Sequence, residues 1–351
     1  MYYVVWSVIV QSLAPIPPSR AGVCAVAADP ALDRIAVAPG AAGGGTVRAS
    51  SLVGTAGGKA VHASAAAVAL GADVEVVATV GGARCEEFLA LLRERSIACR
   101  IVAIAEQTRA TYTLVDPIEG DVCEVIEPSP RLSAIEAAAL KAAVDAAIGS
   151  VGIVLAAGNL PAGVGDDFYA WVVDRARATG AVSLIDAHGV ALEHALAAGP
   201  DLIKPNLAEA LALTGDRVGS DFHFGDLLAV AERLRARGAR NVWLTLGARG
   251  SLLLAASGEA WRLSLGPLRV VSAVSCGDAL LGGLAAGLAR GLTLLEAARL
   301  GVAAGGDKLG RAHSGLVEPD GVAALLPQVE AEALFAAPET HMQLPTHREE
   351  A

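Results

Sequence analysis

From Leu132 onward the chain alternates between short apolar runs bounded by glycine or proline and longer alanine-rich segments with helical spacing. AIEAAALKAAVDAAIG reads as a helix, GIVLAAG as a strand, DDFYAWVVDRARATG as a helix and AVSLIDA as a strand. A short helix, strand DLIKP, helix LAEALALTG, helix FGDLLAVAERLRARG and strand NVWLTLG continue the rhythm. Parallel strands need crossover connections, usually helical, so this order predicts a mostly parallel central sheet with helices on both faces. With 54% hydrophobic residues and only 4% aromatic ones, the core must be filled by Val, Leu, Ile and Ala.

The first half departs from that rhythm. VCAVAADP reads as a buried strand, AVHASAAAVALG and CEEFLALLRERS as helices, and VEVVATVG as a strand between them. The pieces around Ile35 to Val53, with RIVAIAE, ATYTLVDP and DVCEVIEPSP, read as short strands joined by turns. They are expected to form a small sheet, from about 34–55 and 100–130, that projects as a lid from a core domain spanning 23–335. Residues 1–22 are expected to be an extension outside that core: the apolar run from Tyr2 to Val10 has no basic flank and is too short to span a bilayer. The polar stretch 336–351 is expected to be a loose tail.

A net charge of −10 without a Lys/Arg run argues against nucleic acid and against an anionic membrane surface. The cysteines, Cys24, Cys85, Cys99, Cys123 and Cys276, are odd in number and contain no CxxC pair, which favours reduced thiols in a cytoplasmic setting.

Four glycine-containing loops are candidates for chemistry. AGGKAVHAS (56–64) opens a helix but lacks the glycine and hydroxyl residue of a P-loop, Val53 and Ala60 standing in those positions. Ser275, Cys276, Gly277 and Asp278 arrive at a helix start, where unsatisfied N–H groups favour an anion and a carboxylate could serve as a base. The same residues also suit an ordinary N-cap. In LIKPNLAEAL, Lys204 ends a strand and Asn206 and Glu209 lie three apart on the first helical turn, a spacing that fits either water held around magnesium or a capping box. Thr245, Gly247 and Gly250 lie between two strands, in what is at minimum a hairpin turn.

Taken in order, these loops resemble the PfkB-type carbohydrate kinases of the ribokinase superfamily, from about Val23 to about Gln328. DPALD resembles the family's NPALD, AGGKAVH its GGKGxN, QTRATYTLVDP its TRxxYxLVDP, and EPSP its EPGP. AAGNLPAG is similar to SGSLPPG, and SAVSCGD to STVGAGD, with IDAHGVAL, GPDLIKPNLAEAL and LTLGARGSLLL in the expected places. The phosphofructokinase and tagatose-6-phosphate kinase branch is the nearest in pattern.

The resemblance implies a ribokinase-like α/β fold with a β-lid and ATP-dependent phosphoryl transfer to a sugar phosphate. It implies that Asp33, Gly57, Gly58, Lys59 and His62 line the sugar site and that Arg109 holds the sugar's own phosphate. Lys204, Asn206, Thr245, Gly247 and Gly250 would border the nucleotide, and Glu209, through water and with Asn206, would serve Mg2+. Ser275, Cys276 and Gly277 would form an anion hole, with Asp278 as base. Pairing of two copies through the lid is a further implication.

Four positions depart from the pattern. Ala60 and His62 replace the family glycine and asparagine, Ser275 replaces a glycine, and Asp29 replaces the leading asparagine. Ala60 would be strained at positive φ; Asp29 would be unfavourable beside a phosphosugar unless paired; Cys276, at a helix N-terminus, is expected to have a lowered pKa. Two alternatives stay open: a kinase of an unphosphorylated sugar, and a weakly active or inactive relative that binds ligand as a sensor.

Overall fold

The computed structural model of the chain describes residues 20–119, 122–219, 222–311 and 315–334. The expected N-terminal extension, apart from its last three residues, and the expected tail lie outside these.

The described residues begin with β1 (Val23–Ala27), β2 (Ala31–Val37) and β3 (Ser51–Gly57), then α1 (Lys59–Ala69), β4 (Val74–Gly81) and α2 (Cys85–Glu94). Three strands follow, β5 (Ala98–Ile104), β6 (Arg109–Val115) and β7 (Val122–Ile126). The alternating part comprises α3 (Ala134–Ile148), β8 (Ile153–Ala157), α4 (Phe168–Thr179), β9 (Val182–Asp186), α5 (Gly189–Ala197), β10 (Leu202–Ile203), α6 (Leu207–Thr214), α7 (Phe224–Ala236) and β11 (Asn241–Thr245). The chain then forms β12 (Ser251–Leu254), β13 (Ala260–Ser264), α8 (Cys276–Ala289), α9 (Leu294–Leu309), α10 (Pro319–Leu325) and β14 (Glu330–Ala333).

Among the described residues, ten strands make the main sheet in the order β14-β13-β12-β11-β10-β9-β8-β1-β4-β5. Pairing is parallel from β11 through β5, and β12, β13 and β14 extend the sheet as an antiparallel edge. The expected architecture is therefore observed. The strand period of two divides the core: Val23, Ala25 and Ala27 of β1 face one hydrophobic layer with α1, α8 and α9, while Cys24 and Val26 face the other with α3, α4 and α7.

The small sheet has the order β3-β2-β6-β7, with β2 and β6 parallel and the other two pairs antiparallel. One expected member is not in it. β5, placed in the lid by sequence, pairs parallel with β4 over Glu75–Gly81 and forms the far edge of the main sheet. Its partner is chosen by the βα unit that precedes it, not by its closeness in sequence to β6.

Helices α1, α8 and α9 meet at backbone distance because small residues line their contacts. A Cβ added at Gly282 would fall 2.2 Å from the Ala63 carbonyl oxygen, at Gly283 2.7 Å from Gly301 Cα, and at Gly287 2.7 Å from Ala297 Cα. Glycine and alanine are abundant here for a steric reason, since no larger side chain fits. Among the described residues no helix is long and apolar enough to cross a membrane.

Candidate active site

The parallel strands end at one edge of the main sheet, where open α/β folds bind ligands. Asp29 follows β1, Asp186 ends β9, Lys204 follows β10, and Thr245 ends β11. The small sheet adds its base: register places Ala31 opposite both Gly57 and Arg109, and Asp33 opposite both Thr55 and Thr111.

Gly57 and Gly58 carry the chain from β3 into α1. A Cβ on Gly57 would lie 2.3 Å from the Asp33 carboxyl carbon, so that side chain crosses bare backbone. Gly58 caps the helix at φ 97°, a conformation a side chain rarely adopts. The strain expected at Ala60 does not arise: it is the second residue of α1, and the only non-glycine positive φ values among the described residues are at Ser96 and Ser275.

The centre of the cluster is His62, one helical turn into α1. Its Nε2 lies 2.7 Å from Asp33 Oδ2 and its Nδ1 lies 3.1 Å from Asp278 Oδ2, and all three residues are buried. Burial disfavours a charged imidazole, but Asp33 and Asp278 together outweigh it and lift its pKa to about 9. Burial likewise opposes ionisation of Asp33, yet His62 and the Thr111 hydroxyl, which donates at 2.5 Å, hold its carboxyl below the usual range.

A second cluster adjoins it. Lys59 Nζ donates to Asp186 Oδ1 at 3.1 Å and stands 3.8 Å from Glu209 Oε1. Lys204 Nζ lies 2.9 Å from Asp186 Oδ2 but off the hydrogen-bonding direction, so the contact is one of charge. Burial works against the Asp186 carboxylate, but Lys204 and Lys59 hold its pKa low; burial also works against Lys59, whose pKa is raised by Asp186 and Glu209. The same Lys204 ammonium is 3.4 Å from where a Gly277 Cβ would be, beside the start of α8.

Ser275 caps α8 in the left-handed region at φ 60°, without a side-chain bond to the helix. Its hydroxyl instead accepts from the Gly315 N–H at 2.8 Å. The lowered pKa expected for Cys276 is corrected: burial pushes the thiol up, and this outweighs the opposing charge of Lys308.

Asp29 is paired, as its position required. Arg109 Nε donates to Asp29 Oδ1 at 3.0 Å, an Arg109 terminal nitrogen donates to the Asp29 carbonyl at 3.1 Å, and Ser129 Oγ donates to Oδ2 at 2.6 Å. The guanidinium fork is thus partly occupied by Asp29, one nitrogen by its carboxylate and one by its backbone carbonyl, at the place where the resemblance implied a phosphate.

Asn206 and Glu209 form a capping box, Asn206 Oδ1 accepting from the Glu209 N–H and Glu209 Oε2 from the Asn206 N–H, both at 2.9 Å. Glu209 Oε1 is left facing Lys59. Among the described residues no group of three His, Cys, Asp or Glu side chains could hold a metal ion. Thr245 is tied to this loop through its N–H to the Pro205 carbonyl at 3.0 Å, one strand further along the edge. Gly247 and Gly250 shape the turn from β11 to β12; at Gly250 a Cβ would meet the Leu263 carbonyl oxygen, so that glycine is required sterically.

Asp33, Gly57, Lys59, His62, Lys204, Glu209, Gly277 and Asp278 are therefore brought together, with Arg109 beside them and Thr245, Gly247 and Gly250 at the margin. Asp186 was not singled out from the sequence. Its signal was available: a carboxylate directly ending an apolar strand, the same placement that drew attention to Lys204.

Residues 23–319 match the model of the pfkB family carbohydrate kinases. The chain is 32% identical over 226 residues to the ATP-dependent 6-phosphofructokinase isozyme 2 of Mycobacterium tuberculosis, covering 64% of this chain and 65% of that relative. It is 33% identical over 307 residues to the 1-phosphofructokinase of Xanthomonas campestris, covering 85% and 94%. The crystal structure of a mutant of Escherichia coli phosphofructokinase-2 superposes with a TM-score of 0.80 at 25% identity, covering 87% and 98%.

Proposed function

The chain belongs to the pfkB family of carbohydrate kinases, and from that premise we propose that it transfers the γ-phosphoryl of ATP to a hydroxyl of a sugar phosphate of the fructose 1-phosphate, fructose 6-phosphate or tagatose 6-phosphate type. The observation that carries the proposal is the convergence at the start of α8. Asp278 sits there with the Lys204 ammonium beside Gly277, and the buried Asp33 faces the same imidazole.

In this reading Asp278 accepts the proton of the attacking hydroxyl as the sugar oxygen bonds to the γ-phosphorus and the bridging oxygen leaves with ADP. The backbone N–H groups of Ser275 and Gly277 and the Lys204 ammonium meet the charge on the transferring group, whereas the Cys276 N–H, expected among them, donates to the Ala273 carbonyl at 3.3 Å. Asp33, Gly57, Gly58 and Lys59 position the sugar. Arg109 reaches its phosphate with whatever donors Asp29 leaves. Asn206, Thr245, Gly247 and Gly250 border the nucleotide. Magnesium fits as an ion carried on the nucleotide phosphates, because such ions need only one or two protein carboxylates and keep several waters. Glu209 Oε1, with Asn206 beside it, would hold such a water. The small sheet keeps bulk water from the phosphoryl group.

Exposed Leu52, Val122, Val125 and Ile126 on the small sheet support pairing of two copies through it. Sedimentation of the purified chain would test this.

A second reading is favoured by two contacts. His62 bridges Asp33 and Asp278 where a sugar hydroxyl would lie, and Asp29 occupies Arg109. Both alter the sugar end and suit an unphosphorylated acceptor. Coupled ADP release with fructose 1-phosphate, fructose 6-phosphate, tagatose 6-phosphate and free sugars decides. Turnover on a phosphorylated sugar is expected; a preference for free sugars supports the second reading. Tight binding by calorimetry with no ADP formed would mark a ligand sensor.

A further inference from the structure

Lys308, in the last turn of α9, has 0% of its surface exposed, and nothing in the reaction above uses it. A lysine is rarely buried so completely unless a carboxylate pairs with it. Among the described residues Lys308 has no carboxylate within ion-pairing distance. Its Nζ donates instead to two backbone carbonyls, Ser272 O at 3.2 Å and Arg311 O at 3.0 Å. The C-terminal end of α9 favours a positive charge there. Burial pulls the lysine pKa down, opposed by Cys276 and Asp278.

Ser272 opens the turn that leads to Asp278. Its carbonyl also accepts from Cys276 Sγ at 3.6 Å, and its hydroxyl accepts from the Val274 N–H at 3.3 Å. The Val271 and Ser272 N–H groups both donate to the Leu309 carbonyl, at 2.8 and 3.2 Å. The turn is thus fastened to the end of α9, with the ammonium inside the fastening.

Backbone carbonyls converging on a monovalent cation are the ligands that suit an ion the size of potassium or ammonium; here the cation is part of the chain. We propose that Lys308 is a tethered monovalent cation that holds the 272–276 backbone in the shape the transferring phosphoryl group requires and adds positive charge behind it. Lys308 is then a positioning residue, and the protein works without a bound monovalent ion. The phosphoryl part of this rests on the kinase reading; the cation part does not.

The test has an activity arm and a stability arm. Wild-type kcat should differ by less than about twofold between sodium and potassium chloride at equal ionic strength, while Lys308→Met should lower kcat about tenfold or more with the acceptor KM nearly unchanged. Lys308→Ala leaves a carbonyl-lined hollow. Potassium or ammonium chloride at about 0.1 M should raise both its kcat and its melting temperature relative to sodium chloride, and should leave the wild type unmoved. The melting arm needs no turnover, so a chain that forms no ADP counts against the kinase reading alone. A Met variant with unchanged kcat, an Ala variant whose melting temperature ignores the cation, or a wild type activated more than about twofold by potassium each overturns the proposal. Should the Ala variant not fold, the wild-type comparison and the Met variant decide.

Discussion

The imidazole Nδ1 of His62 lies 3.1 Å from Oδ2 of Asp278, while the opposite ring nitrogen reaches Asp33, so one buried ring links the proposed base to the carboxylate proposed to bind the sugar. A neutral imidazole can donate to only one of the two carboxylates; a protonated one donates to both. This geometry therefore favours the cation.

The sign of the resulting pH dependence follows. The His62 pKa rises from 6.5 to about 9 on folding, so its stabilising contribution is complete below 6.5 and is lost as pH climbs through 9. Urea unfolding between those values should show stability falling, by on the order of 2 kcal/mol from this group. His62→Asn should flatten that slope; an unchanged slope in the variant would place the titrating group elsewhere.

Asp278→Asn keeps a hydrogen-bond acceptor for His62 but cannot take a proton. The expected loss in kcat is about 10²- to 10⁴-fold, with the fold retained and the melting temperature lowered only by the loss of one of the two carboxylates that hold the His62 cation. Wild-type turnover in this variant would remove Asp278 from the role of base.

Asp29→Asn should release part of the Arg109 guanidinium from its buried partner. The KM for a phosphorylated acceptor is expected to fall about two- to tenfold, with the KM for free sugars unchanged. Arg109→Ala, by contrast, should destabilise the fold by about 3–5 kcal/mol, because it strands the Asp29 carboxylate without its cation. A rise in phosphosugar KM for Asp29→Asn would show that the ion pair itself positions the site.

Ser275 combines a left-handed backbone with a hydroxyl that accepts from Gly315. Alanine keeps the strain and loses the bond, whereas glycine loses both. Ser275→Gly should therefore be more stable than Ser275→Ala by about 1 kcal/mol, read from denaturation midpoints at equal m-value. Equal midpoints would mean that the turn relaxes out of the left-handed region in the alanine variant.

Much of this was legible in the sequence because it is local. The alternation after Leu132 implied the parallel sheet, and Lys204, Asn206 and Asp278 could be placed at strand ends or helix starts from their neighbours alone. What escaped depends on distant partners. β5 has the same composition whether it pairs with β4 or β6, and only the register over Glu75–Gly81 distinguishes them. Asp29 could be flagged as needing a partner, but its cation, Arg109, is 80 residues away. Asp186 matters because two lysines from different elements converge on it. The rise in the Cys276 pKa reflects burial, which no helix-start rule can anticipate. Lys308 left one clue, the single cation, directly after Asp307, in the otherwise small and apolar GVAAGGDKLG.

The close contact of α1, α8 and α9 through glycine and alanine has a consequence for how specificity can drift. Three helices locked at backbone distance cannot slide past one another, so the end of the cleft proposed to handle the phosphoryl group is effectively a fixed girder. The opposite wall, carried by the small sheet and its junctions, holds Asp33, Arg109 and Thr111 on an independent support. On the proposed function, acceptor preference can therefore be rewritten on that wall, residue by residue, while the proposed transfer chemistry keeps its footing.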